Sequence, residues 1–500
     1  MNPYRLAAFV LCLAMGARSG LAAETPTRDE ARAALQKAVQ FFFTKVAVHG
    51  GYVYRYSGDL ALRAGEGWAT ETQVWVQPPG TPFVGEAFLD AYEATGGALH
   101  RDAARAAAQA LIEGQLRTGG WYYHIEFDPE KRQGYGYRDC PQRRKQEQKT
   151  TLDDDTTQAA VRFLMRLDKT LQFNDAKVHE AAMFALKALL AAQFPNGGWY
   201  VWWEKYPEPR SAQEYPILNA SYPESWSRTW TRDSAYSGCY VINDNLMADM
   251  IAVMFDAGDV YGGKQYLESA EKAGGFLLKA QMPDPQPAWA QQYDRQMQPV
   301  WGRQFEPPAI TALESQGVIE ALMLLYRRTG DDKYLSPIPR AIKYLRGSQL
   351  PNGRLARFYE LKTNKPLYFY QTGKAHHLTY SSDNLPEHYS FIVDSRLDAL
   401  EAECQRLRGS TSSPRPEPVE GRKLGRAELR PTGPAKAEPM TPDLAAQAGK
   451  VIAQMDPRGA WVEKGGMKLR SKKEPPSGII DCRTFADNVR ILCRFLQCAR

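Results

Sequence analysis

One pattern recurs along this chain: a helical run rich in alanine and leucine ends, and a short turn with glycine and an aromatic residue follows it. Two copies read EGQLRTGGWYYHIEF and AAQFPNGGWYVWWEKYP. The copies span residues 113–127, 191–207, 278–294, 347–360 and 452–465, with a degenerate copy at 45–57. A repeat of this kind indicates an architecture of similar stacked units, because one unit is too small to bury an apolar core alone.

A second set of helical runs lies between these copies, and each run opens with polar residues or a turn. Their first residues read TPFVGEAF, LDDDTTQAAV, INDNLMADMI, TALESQGVIE, EHYSFIVDSR and DCRTFADNVR. Apolar residues return in them at steps of three and four, which is typical of amphipathic helices. The two sets combine into six helix pairs. We therefore predict an all-α fold, an α/α toroid (barrel) of repeated helix pairs joined by short turns.

The direction of the chain predicts where a binding site lies. The first helix of each pair begins at its polar cluster and runs away, and the second returns to end at the glycine-aromatic turn. Both features therefore lie on one face, which collects carboxylates, arginines and aromatic loops as a binding cleft does. Trp199 is a predicted substrate-binding residue on this face, although aromatic rings at such turns are also commonly core residues.

The segments outside the repeats have their own composition. Residues 1–23 place an arginine before a short apolar stretch and end in small residues, which predicts a signal peptide and a secreted or periplasmic protein. No other segment is apolar for the roughly 18 residues that a membrane span needs. Residues 24–500 are predicted to form a single catalytic domain, in which 409–442 is a Pro- and charge-rich disordered insertion. Residues 207–240 predict a long loop over the active face.

Charge and cysteine content exclude some classes of protein. A net charge of +6 over 500 residues, with no basic run interleaved with aromatics, argues against nucleic-acid binding and is compatible with an acidic substrate. The six cysteines after Cys12 could pair in an oxidising compartment, and this question stays open. The absence of a CxxC pair argues against structural zinc. We expect a monomer.

Two helix starts, LDDDTT and NDN, are rich in oxygen donors. Calcium takes such ligands, and the donors available are Asp153, Asp154, Asp155, Asn243 and Asp244. The same residue types are common helix N-caps, which is the simpler interpretation for any one of them. Three adjacent like charges facing a second polar helix start favour a cation site.

Several ordered blocks together carry a resemblance to a known family. The blocks are TTLDDDTTQAAVRFLMRL, FPNGGWYVWWEKYP, VINDNLMADMI, AQMPDPQPAWAQQYD, WGRQFEPPAITALESQGV and LPNGRLARFYELKTNKPLYF. They resemble the family-10 pectate lyases, in detail over residues 150–369 and more loosely from 86 to the C-terminus. The resemblance implies a helical barrel, a polygalacturonate (pectate) substrate, β-elimination and a Ca2+ ion. It implies that Asp153 or Asp154, together with Asp244, binds calcium or the substrate carboxylate. We predict Asp154 and Asp244 as metal ligands and Asp153 and Asn243 as substrate-binding residues.

The implied chemistry needs a base and a neutralised carboxylate. Elimination across C4 and C5 of a uronate removes a weakly acidic proton beside a carboxylate, whose charge calcium and arginine can neutralise. In the family that the chain resembles the base is an arginine, and here the candidates are Arg357 in LARFYE and Lys374 beyond it. An arginine has a pKa above about 12, and a lysine adjusts more easily. Arg303 is a third predicted catalytic residue, which could clamp a carboxylate or only pair with Glu306.

Three other functions compete with the lyase. A glycoside hydrolase on an α/α barrel could use Asp154 and Glu314 as its two carboxyl groups. A carbohydrate-binding protein could keep the cleft without the base. The motifs QFPNGGW and LDDDTT also echo triterpene cyclases, but a signal peptide and a polar cleft do not suit a carbocation. Release of an unsaturated, ultraviolet-absorbing sugar distinguishes the lyase from all three.

Overall fold

The computed structural model describes residues 25–232, 240–409, 439–467 and 477–498. The predicted signal peptide and most of the predicted insertion at 409–442 lie outside these ranges. The extent of the predicted single domain, 24–500, stays a prediction. None of the helices in the described ranges is long and apolar enough to cross a membrane.

The described residues form twelve α-helices in two concentric sets. The helices are α1 Arg28–Phe41, α2 Thr81–Thr95, α3 Ala98–Glu113, α4 Thr156–Thr170, α5 Ala176–Ala192, α6 Leu246–Tyr261, α7 Lys264–Ala280, α8 Ala312–Thr329, α9 Ile338–Gly347, α10 Leu397–Gly409, α11 Pro442–Ala453 and α12 Cys482–Gln497. The even-numbered helices pack side by side from α2 to α10, and α12 packs against α2. The odd-numbered helices lie outside them, for example α3 against α2 and α7 against α6. The arrangement confirms the predicted α/α toroid.

Short strands join the two sets of helices at one face. They are β1 Arg55–Ser57, β2 Arg63–Ala64, β3 Gln73–Trp75, β4 His124–Glu126, β5 Thr150–Thr151, β6 Trp202–Trp203, β7 Tyr240–Val241, β8 Gln292–Tyr293, β9 Ala309–Thr311, β10 Leu355–Ala356, β11 Phe358–Glu360, β12 Pro366–Thr372, β13 Ala375–Thr379, β14 Ile392–Val393, β15 Glu463–Gly465 and β16 Ser477–Asp481. The strand before an inner helix pairs with the strand in the next glycine-aromatic turn: β3 with β4, β5 with β6, β7 with β8, and β9 with β11. The polar helix starts and the turns therefore share one face, as the chain direction predicts.

The repeated turn residues have a structural role. The tryptophan of the turn donates its indole N–H to a carbonyl of the outer helix that precedes it: Trp121 to Leu111, Trp199 to Leu189, Trp289 to Leu277 and Trp461 to Val451. The glutamine reaches the next outer helix, as Gln193 does with the Ser269 carbonyl at 3.0 Å. Gly197 has a φ of 100°, and a Cβ there would meet the Lys272 carbonyl oxygen at 2.0 Å. The repeat therefore fastens neighbouring helix pairs together.

The loop predicted over the active face contacts the loops of that face. In its described part, Trp230 donates its indole N–H to the Gly302 carbonyl at 3.0 Å, and Arg228 pairs with Glu360. Five cysteines of the described ranges are free thiols: Cys140, Cys404, Cys482, Cys493 and Cys498. Cys239 lies outside those ranges.

Candidate active site

Inner helices α4 and α6 begin with the same unusual turn. Asp154 and Asp155 have φ angles of 47° and 60°, and Asp244 and Asn245 have 51° and 60°. Each non-glycine residue in this left-handed region costs roughly 1–3 kcal/mol, and such strain is concentrated at functional sites. Neither helix start has a capping hydrogen bond from its side chain. The N-cap interpretation therefore does not describe Asp155 or Asn245, and the repeated strain indicates a binding role.

The two turns bring three carboxylates together. Oxygen atoms of Asp153, Asp154 and Asp244 lie within 4.8 Å of one another. A neutral donor orients each of them: Tyr123 Oη to Asp153 at 2.8 Å, Gln77 Nε2 to Asp154 at 2.8 Å, and Asn243 Nδ2 to Asp244 at 2.7 Å. Asn243, a predicted substrate-binding residue, is buried, and in this structure its side chain orients the Asp244 carboxylate.

The electrostatics of this cluster fit a divalent cation. Burial, followed by the charges of Asp154 and Asp153, raises the pKa of Asp244 to about 8, and Arg303 only partly opposes this rise. Like charges this close disfavour each other's ionised form. Carboxylate and amide oxygens are the donors that calcium takes. Asp153, Asp154 and Asp244 are therefore the residues that could hold such an ion.

The raised pKa predicts how stability depends on pH. The folded state holds the Asp244 proton more tightly than the unfolded state, so the free energy of unfolding falls as pH rises from about 4 to about 8. In chelator, Asp244→Asn is expected to gain stability relative to the unsubstituted protein between pH 5 and pH 8. Urea unfolding at the two pH values measures this. A stability difference that stays constant with pH contradicts the assignment.

A buried arginine lies beside the cluster. Arg357 Nη2 lies 2.5 Å from Glu314 Oε1 and 3.8 Å from Asp244 Oδ1, and its guanidinium lies 4.1 Å from the centre of the Tyr389 ring. Burial by itself lowers the pKa of Arg357, but the charges of Glu314, Tyr389 and Asp244 outweigh it, and the net pKa is raised. The Arg357 backbone bridges Phe391 and Ala312, which fixes its position at the start of α8.

The other two predicted catalytic residues are more exposed. Arg303 pairs with the buried Glu306 at 2.5 Å and lies 3.7 Å from Asp244, so it has both a structural partner and a place at the cluster. Its side chain is 39% exposed. Lys374 is exposed at the tip of the β12–β13 hairpin, where its carbonyl accepts a hydrogen bond from Gln304.

The aromatic residues require a correction. The structure places Trp199 in the core with none of its surface exposed, so it presents no ring face to the cleft. Trp202, three residues later, is 39% exposed. It pairs with Thr151 across the β5–β6 ladder, two residues before Asp153, and the Lys149 ammonium lies 4.6 Å from its ring centre.

Sequence reasoning missed several residues that complete the site. Gln291 Nε2 lies within hydrogen-bond distance of Asn243 Oδ1, Glu314 Oε1 and Tyr389 Oη, at 2.8, 2.9 and 3.0 Å. Tyr389 also donates to Glu306 at 3.1 Å. These residues, like Gln77 and Tyr123, lie far from the aspartates in sequence, and although Tyr123, Gln291 and Tyr389 fall within quoted motifs, nothing in those motifs indicates their partners. The aromatic run WYVWW does contain Trp202 and was the one available signal.

A helical toroid whose loop face gathers carboxylates and arginines suits an enzyme that acts on acidic polysaccharides. The family model described as pectic acid lyase matches residues 127–325. Over these residues the chain is similar to the pectic acid lyases, which confirms the resemblance predicted from its motifs and supports a polysaccharide lyase. The matched region contains Asp154, Asp244 and Arg303, and ends before Arg357 and Lys374.

Several solved structures are similar to the chain at low identity. The family 10 polysaccharide lyase from Cellvibrio cellulosa is 17% identical, with a TM-score of 0.43, covering 65% of this chain and 97% of that one. A mutant of that enzyme in complex with trigalacturonic acid is 16% identical, with a TM-score of 0.43, covering 65% and 98%. Cellobiose 2-epimerase from Bacillus thermoamylovorans is 13% identical, with a TM-score of 0.45, covering 94% and 98%. No protein among the curated sequences matches the chain.

Proposed function

We propose that this chain is a pectate lyase that cleaves polygalacturonate by calcium-assisted β-elimination and releases 4,5-unsaturated oligogalacturonides. The observation that carries the proposal is the strained carboxylate cluster beside a buried arginine, with Arg357 Nη2 3.8 Å from Asp244 Oδ1. A cluster of carboxylates alone would repel a polyuronate. Together with a divalent cation it becomes a binding site for one.

Each residue of the site has a role in this reaction. Asp154 and Asp244 would hold Ca2+, with Asp153 beside them. The bound ion supplies positive charge that neutralises the substrate carboxylate and lowers the pKa of a neighbouring arginine. Arg303, partly exposed and 3.7 Å from Asp244, is placed to bind a uronate carboxylate. The exposed ring of Trp202 offers a flat face to a sugar.

Arg357 is the proposed base. It takes the proton from C5, the electron pair of that bond forms the C4–C5 double bond, and the C4–O bond breaks, with water protonating the departing oxygen. Arg357 must be neutral to accept the proton, which favours alkaline pH. Lys374 stays the alternative base. At its exposed hairpin tip its carbonyl accepts a hydrogen bond from Gln304, the residue that follows Arg303.

The contacts of the site weigh against the competing functions. Glu314 accepts hydrogen bonds from Arg357 and Gln291, whereas a hydrolase requires a carboxylic acid that donates its proton to the glycosidic oxygen. The charged cluster does not suit the carbocation of a triterpene cyclase. A uronate-binding protein without activity shares all of these contacts and is an outcome of the test below.

The test is incubation with polygalacturonate while ultraviolet absorbance is followed, in calcium and in excess chelator. We expect absorbance to rise with calcium, to stop with chelator and to resume when calcium is restored. A neutral galactan serves as the control polymer and should give no signal. Chain cleavage without absorbance would indicate a hydrolase, and binding without cleavage would indicate a binding protein. Full activity in chelator contradicts the role of the aspartates.

We also propose, from residues 1–23, that the protein is exported and acts on polymer outside the cytoplasm. We further propose that it acts as a monomer. Fractionation of expressing cells tests the first part, and sedimentation of the purified protein tests the second.

A further inference from the structure

The two helix starts at the carboxylate cluster combine strained backbone with carboxylates that lie close together. Such an arrangement persists only where surrounding contacts over-determine it. At the α4 start one contact does this. Arg162, in the second turn of α4, donates through Nη2 to both oxygens of Asp155, at 2.6 and 2.5 Å. The hydrogen bonds of the Asp155 side chain within the described ranges all go to Arg162.

Arg162 also reaches the second helix start. Its Nη1 lies 4.0 Å from Asp249, in the first turn of α6, the helix that begins just after Asp244. Arg162 and Asp155 line a cavity of about 400 Å³ on the toroid axis, between inner helices α2, α4, α6, α8 and α12. One side chain thus faces a carboxylate at the start of each of the two helices that begin with a strained turn.

The neighbouring residues Asp154 and Asp155 have different partners. Asp154 accepts from Gln77 and joins the cluster, while Asp155 turns toward the axis and binds Arg162. Two successive left-handed residues make this division possible. Without the ion pair to Arg162, the turn can relax to an ordinary helix start, in which Asp154 leaves its place beside Asp244.

We propose that Arg162 is a positioning residue, which holds the Asp154 and Asp244 carboxylates in register for a divalent cation by binding Asp155 and facing Asp249 from the toroid axis. This rests on the proposed function only in naming calcium as the ion. Arg162 does not touch the substrate or the ion. Residues that orient metal ligands in this way are typically worth about 10- to 100-fold in metal affinity.

The test measures calcium binding without substrate, by titration calorimetry of the full chain. Arg162→Lys keeps the charge, but its single nitrogen cannot face Asp155 and Asp249 through two separate nitrogens as Nη2 and Nη1 of the guanidinium do. We expect its Kd for calcium to rise about 10- to 100-fold. Asp155→Asn, which removes the other partner, should have a similar effect, and the double variant should add little to either.

The matched control is Arg166→Lys. Arg166 lies one turn further along α4 and lines the same cavity, but it pairs with Glu86, Asp90 and Glu93 of α2. Its variant should bind calcium within about twofold of the unsubstituted protein. Equal Kd values for Arg162→Lys and the unsubstituted protein, or equal losses in Arg162→Lys and Arg166→Lys, overturn the inference. Absence of calcium binding in the unsubstituted protein contradicts instead the calcium site of the proposed function.

The same variants separate positioning from general damage in the enzymatic reaction. For Arg162→Lys, rates at saturating calcium should recover most of the unsubstituted turnover, because only ion affinity is lowered. The calcium concentration for half-maximal rate should rise by the same factor as Kd. A turnover defect that excess calcium cannot restore overturns the positioning role.

Discussion

Replacing Arg357 with alanine is expected to lower the turnover of polygalacturonate cleavage by about 100- to 10,000-fold, with only a modest change in substrate binding. The reason is that a general base acts in the transition state and contributes little to the bound ground state. Turnover and binding must therefore be measured separately. Because the substitution also leaves Glu314 buried without its ion-pair partner, thermal unfolding should confirm that the variant is folded at the assay temperature.

Two further variants make the Arg357 result interpretable. Arg354→Ala removes an arginine three residues earlier in the same segment, whose partner Asp394 is 86% exposed, and it should leave turnover unchanged. Lys374→Ala tests the alternative base. If Arg357→Ala and Lys374→Ala both keep near-wild-type turnover, the elimination mechanism is wrong as placed on these residues. A large loss in Lys374→Ala alone assigns the base to the hairpin.

Replacing Glu314 with glutamine is expected to lower the free energy of unfolding by about 3–5 kcal/mol, the usual result of removing one partner of a buried ion pair. The remaining Arg357 guanidinium is buried with Asp244 at 3.8 Å as its other described carboxylate partner. Glu320→Gln, on the same helix, is the control, because its partner Arg396 is on the surface and such pairs contribute about 0–1 kcal/mol. Urea unfolding measures both.

The same Glu314 variant has a second expected effect, on the pH profile. The charge of Glu314 raises the pKa of Arg357. Since only the neutral base accepts a proton, removing that charge should move the rising limb of turnover to lower pH. If the rising limb moves to higher pH, or if the stability is unchanged, the ion pair with Glu314 does not control the pKa of Arg357.

The double role of the site arginines explains why they are hard to interpret from sequence. Arg303 was predicted either to clamp a carboxylate or to pair with Glu306, and the structure combines that pair with a position 3.7 Å from Asp244. Arg357 follows a turn in LARFYE, and nothing nearby in sequence reveals that Glu314 and Tyr389 surround it. The contact of Arg357 with Glu314 depends on how strands β9 and β11 pair, because Glu314 follows β9 and Arg357 precedes β11.

Local patterns were sufficient for the architecture. The three- and four-residue spacing of apolar side chains predicted the helices, and the alternation of polar helix starts with glycine-aromatic turns predicted that all of them share one face. Both follow from the sequence because helix periodicity and chain direction are local properties. The acidic helix starts at 153–155 and 243–244 were visible for the same reason.

Only the tertiary structure determined which residue of each short sequence motif has which role. Trp199 and Trp202 belong to one short aromatic run, yet the turn buries the first and leaves the second 39% exposed. Asp154 and Asp155 are adjacent, yet left-handed backbone directs one to the cluster and the other to Arg162. Residue type and spacing determine that carboxylates, arginines and rings reach this face. Which atoms meet depends on side-chain direction and on contacts between segments far apart in the chain, and these exist only once the toroid has closed.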